Sequence, residues 1–251
     1  MNSARRVVLV TGGSRGIGAA VVRRAAADGW AVAFTYLTAA EEAAGLVREL
    51  SARGTDILAI RADVGCEADV LDTFAQVDAR LGPLTALVNN AGIAAPQTRV
   101  DRMDMERLTR VFTTNVIGAF LCAREAVKRM STLRGGAGGA IVNVSSAAAR
   151  LGSPGEYVDY AASKGALDTF TLGLAKEVAT EGIRVNAVRP GLIHTDIHAR
   201  FGDPGRVERL VANVPMRRGG SADEVARAIL WLLSDEASYC IANFLDVSGG
   251  R

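Results

Sequence analysis

Seven short apolar and β-branched runs, alternating with longer stretches of helical spacing, leave this chain few folds to choose from. The runs cover residues 7–10, 31–35, 57–61, 86–89, 140–144, 184–188 and 244–247. Near-continuous apolarity over so few residues is the mark of strands buried on both faces. Between them, Ala19-Val22-Ala26, Val70-Phe74-Val77-Leu81 and Val225-Ile229-Leu232-Leu233 recur at intervals that place apolar side chains on one helix face. Right-handed strand–helix–strand crossovers then predict an α/β fold, a doubly wound seven-stranded parallel sheet with helices on both faces.

The 251 residues, 49% of them apolar, suffice for one core burying roughly 70–75% of the unfolded surface. With no internal repeat and no Pro/Ser-rich linker, one domain over residues 1–251 is expected. Gly29, Gly54, Gly82 and Gly182 each follow a helical stretch, where a left-handed cap is commonly needed. Gly135-Gly136-Ala137-Gly138-Gly139 precedes a strand and lacks the Lys-Ser/Thr of a phosphate loop, so it reads as a flexible connector.

Charge excludes several classes of partner. Lys plus Arg number 29 against 27 for Asp plus Glu, with no like-charge block, so neither nucleic acid nor an anionic membrane is an expected partner. The apolar run at 7–10 is too short for a secretory leader, and that at 228–233 falls far short of the ~20 residues that span a bilayer. A soluble, cytoplasmic protein is expected. Cys66, Cys122 and Cys240 form neither a disulfide framework nor a zinc pattern and are expected to be buried small apolar residues. His194 and His198 are four residues apart without the intervening Glu of a zinc protease, so no metal site is expected.

The chemistry begins at Thr11-Gly12-Gly13-Ser14-Arg15-Gly16-Ile17-Gly18, between the first strand and the first helix. Gly12, Gly16 and Gly18 remove Cβ atoms where the chain turns and where a pyrophosphate approaches the backbone N–H groups of a helix start. This is the cradle of a dinucleotide-binding Rossmann fold. An NAD-preferring site places Asp or Glu about 20 residues on. Here the window reads Phe34-Thr35-Tyr36-Leu37-Thr38, with no carboxylate before Glu41. NADP is therefore the expected cofactor, with Arg15 pairing its extra phosphate and NAD possible.

Tyr160 and Lys164, four residues apart, project from one helix face. A neighbouring ammonium moves a phenol from its usual pKa of ~10 towards neutrality, giving a usable acid and base. Ser146 follows a strand whose end points into the ligand crevice, with Ser145 as its competitor. Asn115 lies in the apolar stretch 111–121 and must hydrogen-bond something specific.

Together these motifs resemble the single-domain short-chain dehydrogenases/reductases from residue 7 to 250. Residues 11–18 resemble the TGxxxGxG loop, Asn89-Asn90-Ala91-Gly92 the NNAG motif, Asn115 the helix asparagine, and Ser146 the serine. Tyr160-Ala161-Ala162-Ser163-Lys164 resembles YxxxK and Pro190-Gly191 the PG turn.

The resemblance implies that Tyr160 exchanges a proton with a carbonyl or alcohol substrate while Ser146 holds the reacting oxygen. Lys164 also bonds the nicotinamide ribose, and Asn115 holds a water linking Lys164 to solvent. Asp63 and Val64 border the adenine; Asn90, Ala91 and Gly92 line the ribose side; Pro190, Gly191, Ile193 and Thr195 reach the nicotinamide. Ser146 stands fourteen residues before Tyr160 where the family usually has thirteen, implying one residue inserted in 151–159. Residues 192–220 are implied to form a substrate lid, and the subunits a homotetramer.

Residues 145–169 resemble bacterial reductases often likened to glucose 1-dehydrogenases, which does not fix a sugar substrate. Arg150, Glu156, Tyr157 and Asp159 are candidate contacts to a polar substrate. Where relatives carry Thr-Gly before the last strand, this chain has Ile241-Ala242. A 3-oxoacyl carrier-protein reductase is the nearest enzymatic alternative, and a catalytically silent NADP-binding regulator the alternative from another class.

Overall fold

The structure is a computed structural model that describes residues 5–196 and 202–251. Its seven strands are β1 (Val7–Val10), β2 (Ala31–Tyr36), β3 (Ile57–Arg61), β4 (Ala86–Asn89), β5 (Gly139–Val144), β6 (Ile183–Pro190) and β9 (Phe244–Val247). They pair in parallel in the order β3-β2-β1-β4-β5-β6-β9, the doubly wound sheet expected. Strand β6 runs past the expected 184–188 at both ends, because its pairing with β5 and β9 continues through Pro190.

Alternation across β1 shows how the sheet makes two cores. Val8 and Val10 join a cluster with α1 (Gly16–Ala27), α2 (Ala40–Ser51) and the helix Ala222–Leu233. Val7 and Leu9 point the other way, to α3 (Glu67–Arg80), α5 (Gly118–Met130) and α7 (Val158–Val178). Successive strand side chains face opposite sides, so an all-apolar strand feeds both layers at once. The remaining helices are α4 (Met105–Phe112), joined to α5 by the π-helical turn Thr113–Ile117, and the short α6 (Ala148–Leu151).

Helix ends follow the sequence closely. Gly29, Gly54, Gly82 and Gly182 all have positive φ between +73° and +94°. Ser221 and Glu224 form a reciprocal capping box at the last helix. The glycine-rich stretch before β5 is a connector, but a tightly packed one. A Cβ at Gly136 would lie 2.4 Å from the Arg129 carbonyl oxygen, and one at Gly139 2.4 Å from that of Thr85. Those glycines serve close backbone approach, which composition alone does not distinguish from flexibility.

The cysteine reading holds for Cys122, whose thiol burial pushes up to about 12, but not for Cys66, which is exposed at the start of α3. Among the described residues no group of His, Cys, Asp and Glu is arranged to hold a metal ion, and no helix is long and apolar enough to cross a membrane. His198 lies outside the described residues.

Candidate active site

A cleft of about 630 Å³ opens at the carboxyl ends of β1, β2, β3, β4, β5 and β6. At its floor the glycine loop is held by hydrogen bonds on both sides. Thr35 Oγ1, at the end of β2, accepts from Gly12 N at 3.0 Å, and Asn90 Nδ2 donates to the carbonyls of Thr11 and Gly12. Gly12 sits at φ +63°, and a Cβ on Gly18 would lie 2.3 Å from the Gly12 carbonyl oxygen, so only glycines close this turn.

The start of α1 has no capping side chain and no acidic residue in its first turn. Its leading N–H groups therefore face the cleft without partners from the helix, a cradle that fits a pyrophosphate. Ser14, Arg15, Gly16, Ile17 and Gly18 line it, and Thr195 leans over Gly16, 3.5 Å from where a Cβ would stand. Asp63, Val64, Asn90, Ala91, Gly92, Pro190, Gly191 and Ile193 line the same cleft.

Two expected contacts are placed differently. Thr11 is buried behind the loop, where its Oγ1 accepts from Asn90 N at 3.0 Å and Ala91 N at 2.9 Å, joining the glycine turn to the end of β4. It shapes the cradle without lining it. Arg15 pairs with Glu42 at 3.2 Å, because α2 turns that carboxylate back over the loop. The absence of an acidic residue in 34–38 therefore did not leave Arg15 free of one.

Deeper in the cleft, Tyr160, Lys164 and Ser146 converge. Ser146 lies close enough to the Tyr160 hydroxyl to favour its ionised form, and accepts from Ala148 N at 3.1 Å. Ser145 is buried and donates to the Lys164 carbonyl at 3.3 Å, so Ser146 is the serine that meets the phenol. Lys164 Nζ donates to the Val144 carbonyl at 2.7 Å and stands 5.7 Å from the Tyr160 ring centre.

Burial decides both proton affinities. It raises the Tyr160 phenol above its ordinary value, with Ser146 acting in the opposite direction. It lowers the Lys164 ammonium to about 8, against the attraction of Asp168. The expectation that Lys164 brings the phenol down towards neutrality is not met in this structure, where burial is the largest influence on the phenol.

Asn115 lies in the π-helical turn, a local irregularity frequent at functional sites. Its Oδ1 accepts from Ile93 N, and its Nδ2 donates to the Ile93 carbonyl and to Ser163 Oγ, at 2.8, 2.8 and 3.0 Å. It stands behind Gly92, whose absent Cβ would lie 3.4 Å from Lys164 Nζ and 3.5 Å from Asn115 Oδ1.

Of the polar candidates near α7, Tyr157 lines the cleft and Asp159 does not. Asp159 is buried against Arg107. Glu156 pairs with Arg206, and Arg150 with Asp246. The base of the expected lid is a two-stranded ribbon, β7 (Ile193–His194) with β8 (Gly220–Ser221). Residues 197–201 of that lid lie outside the described residues. The sequence did not single out Thr35, Arg206 or Arg251, all of which line the cleft, although Thr35 lies in the window 34–38 and Arg206 within the expected lid.

The family model described as Enoyl-(Acyl carrier protein) reductase matches residues 12–251. The chain belongs to the short-chain dehydrogenase/reductase family. It is an oxidoreductase of CH–OH and C=O groups. It is 56% identical over 248 residues to the uncharacterized oxidoreductase YgfF of Escherichia coli (strain K12), covering 98% of this chain and 99% of that one. Among solved structures it resembles a blue fluorescent protein from a metagenomic library in complex with NADPH. The TM-score is 0.89 and the identity 38%, with 98% and 97% of the two chains covered. It also resembles 3-ketoacyl-(acyl-carrier-protein) reductase from Brucella melitensis complexed with NADH. There the TM-score is 0.91 and the identity 30%, with 99% of each chain covered.

Proposed function

We propose that this protein is an NADP(H)-dependent oxidoreductase that interconverts a carbonyl and a secondary alcohol, with Tyr160 as proton carrier. The observation that carries the reading is the meeting of Tyr160, Ser146 and Lys164 in one cleft with the glycine cradle. NADP(H), when bound, supplies or accepts the hydride. The solved relative that holds NADPH supports this cofactor.

Every other step belongs to this chain's residues. A phenol raised by burial keeps its proton at neutral pH, so Tyr160 is a donor to a carbonyl oxygen in the reductive direction. Ser146, fixed by Ala148 N, holds that oxygen beside the phenol. Lys164 commits one of its three protons to Val144, leaving two for a ribose and for the phenolate left after donation. Asn115 fixes the Gly92–Ile93 backbone against which Lys164 rests. Asp63 and Val64 border an adenine, Asn90, Ala91 and Gly92 a ribose, and Pro190, Gly191, Ile193 and Thr195 a nicotinamide. The described residues 192–196 and 202–220, pinned at their base by the β7–β8 ribbon, act as the lid.

A homotetramer is the assembly we favour. Ile117, Phe120 and Leu172 are exposed on the α5–α7 side, and Trp231, Tyr239 and Ile241 near β9. Monomers rarely leave such patches uncovered.

The test is loss of reduced-nicotinamide absorbance with ketones, 3-oxoacyl thioesters, quinones and sugars, for the native protein and Tyr160→Phe, with NADPH and with NADH. Turnover that Tyr160→Phe lowers by roughly 10²–10⁴-fold supports the reading. Preference for 3-oxoacyl thioesters would point to a carrier-protein reductase, as in the Brucella relative. Tight cofactor binding without turnover would favour a silent regulator, and a tenfold preference for NADH would overturn the cofactor assignment.

A further inference from the structure

Tyr157 is the N-cap residue of α7, three residues before Tyr160, and lines the same cleft as Tyr160 and Lys164. Lys164 lies at the Gly92 end, beside the loop assigned to the dinucleotide. Tyr157 therefore marks the opposite side of the reacting phenol, where a substrate extends. This end of the cleft is lined by Leu151, Ser153, Tyr157, Leu192, Arg206 and Arg251.

Arg206 is unusual among them. Its side chain is only 11% exposed, and its guanidinium lies 4.9 Å from the centre of the Tyr157 ring. Nη2 donates to Glu156 Oε2 at 2.5 Å. Nη1 is buried and makes no hydrogen bond within 3.5 Å among the described residues. The nearest acid, Asp203, is 3.6 Å from Nη1, and its two oxygens accept from Arg209 at 2.6 and 2.5 Å. A buried guanidinium N–H without an acceptor is costly unless a ligand supplies one.

Arg251 brings a second guanidinium that has no acidic partner among the described residues. Asp63 and Asp196 are the side-chain carboxylates among the cleft's lining residues. Asp63 follows β3, and Asp196 shares a shallow depression with Ser14 and Arg15, so both belong to the dinucleotide side.

We propose that Arg206, assisted by Arg251, is a subsite for a carboxylate, and that the substrate is an oxo acid. Its carboxylate lies on the Tyr157 side of the carbonyl held by Tyr160. A guanidinium stacked on an aromatic ring with a donor short of a hydrogen bond matches a carboxylate better than a neutral polar group. The oxo-acid assignment rests on the oxidoreductase reading above, whereas the anion subsite does not.

The test is titration of the NADPH-saturated protein with hexanoate and with hexanamide, read calorimetrically, so that the dinucleotide's own anion sites are filled. Hexanoate is expected to bind at least tenfold more tightly, and Arg206→Met to abolish that preference while leaving NADPH affinity unchanged. Glu156→Gln, which releases a competing carboxylate from Arg206, is expected to strengthen hexanoate binding several-fold and keeps the test decisive should Arg206→Met fail to fold. Equal affinity for the two probes overturns the subsite, as does a preference that survives Arg206→Met or weakens in Glu156→Gln. If no carbonyl compound is turned over, the oxidoreductase reading fails while this titration still decides the subsite.

Discussion

Arg107 grips both carboxylate oxygens of Asp159, with Nε 2.7 Å from Oδ2 and Nη2 3.2 Å from Oδ1, one residue ahead of Tyr160. Its Nη1 also donates to the Pro96 carbonyl at 2.6 Å. The pair ties α4 to the start of the helix that carries Tyr160 and Lys164. The Asp159 side chain is 1% exposed, so removing either partner strands a buried charge. Asp159→Leu or Arg107→Met should each cost about 3–5 kcal/mol. The double variant should cost clearly less than their sum, because it strands no charge. Urea unfolding of the four proteins checks this, and strict additivity would count against the coupling.

The proton affinities at α7 set two pH dependences. Burial holds the Tyr160 phenol above its ordinary value, so reduction should not lose its donor between pH 6 and about 8 through Tyr160 itself. The limb that appears near pH 8 belongs to Lys164, which loses its charge there. A carbonyl reduction profile that is flat below pH 7 and falls above about 8 is expected, and a fall centred near pH 6 contradicts it.

Stability carries the opposite sign. Lys164 is lowered from its unfolded value of ~10.4 to about 8, so between those values the unfolded chain binds more protons. Its contribution to unfolding free energy therefore rises with pH through that window, by at most roughly 3 kcal/mol. Lys164→Met should flatten the rise, measured as urea midpoints at pH 7, 8.5 and 10. An unchanged slope would show that Lys164 is not the titrating group.

The sheet and the cleft were legible because each rests on local signals: apolar runs for strands, spacing for helices, and glycines at a strand-to-helix turn. Ser146 was preferred to Ser145 in the sequence by its spacing to Tyr160, but both follow β5, and the turn into α6 decides which of them faces Tyr160. The sign of the Tyr160 shift was not legible, because desolvation depends on the whole cleft and an i, i+4 lysine does not reveal it. The partners of Arg15, Asp159 and Arg206 come from Glu42, Arg107 and Glu156, at sequence separations of 27, 52 and 50 residues. No periodicity reports contacts at such distances.

Arg15 and Glu42 lead to a prediction about cofactor choice. Their side chains are 29% and 46% exposed, so the pair is worth about 0.2–1 kcal/mol, little against a phosphate held by a guanidinium. A 2′-phosphate entering beside Arg15 must share or displace Glu42. Glu42→Gln should tighten NADPH binding by up to about fivefold, the equivalent of ~1 kcal/mol, and leave NADH nearly unchanged. Arg15→Ala should weaken NADPH at least tenfold with little effect on NADH. Fluorescence titration of both nucleotides checks it, and parallel losses for the two would remove Arg15 from phosphate recognition.

Ala242 stands at φ +55°, with its N–H donating to the Val185 carbonyl at 2.9 Å just before β9. This is the position where relatives were expected to carry glycine, and the backbone keeps the left-handed conformation a glycine adopts freely. An L-residue there carries about 1–2 kcal/mol of strain. Ala242→Gly relieves that strain but gives the unfolded chain more freedom, worth about 0.4–1 kcal/mol in the other direction. The net stabilisation expected is ~0.5–1 kcal/mol, or roughly 1–4 °C in Tm for a chain of this size. Because Ala242 lies outside the cleft, NADPH affinity should not change. A lower Tm for Ala242→Gly would mean that the methyl group's packing against the core beneath β6 outweighs the backbone strain.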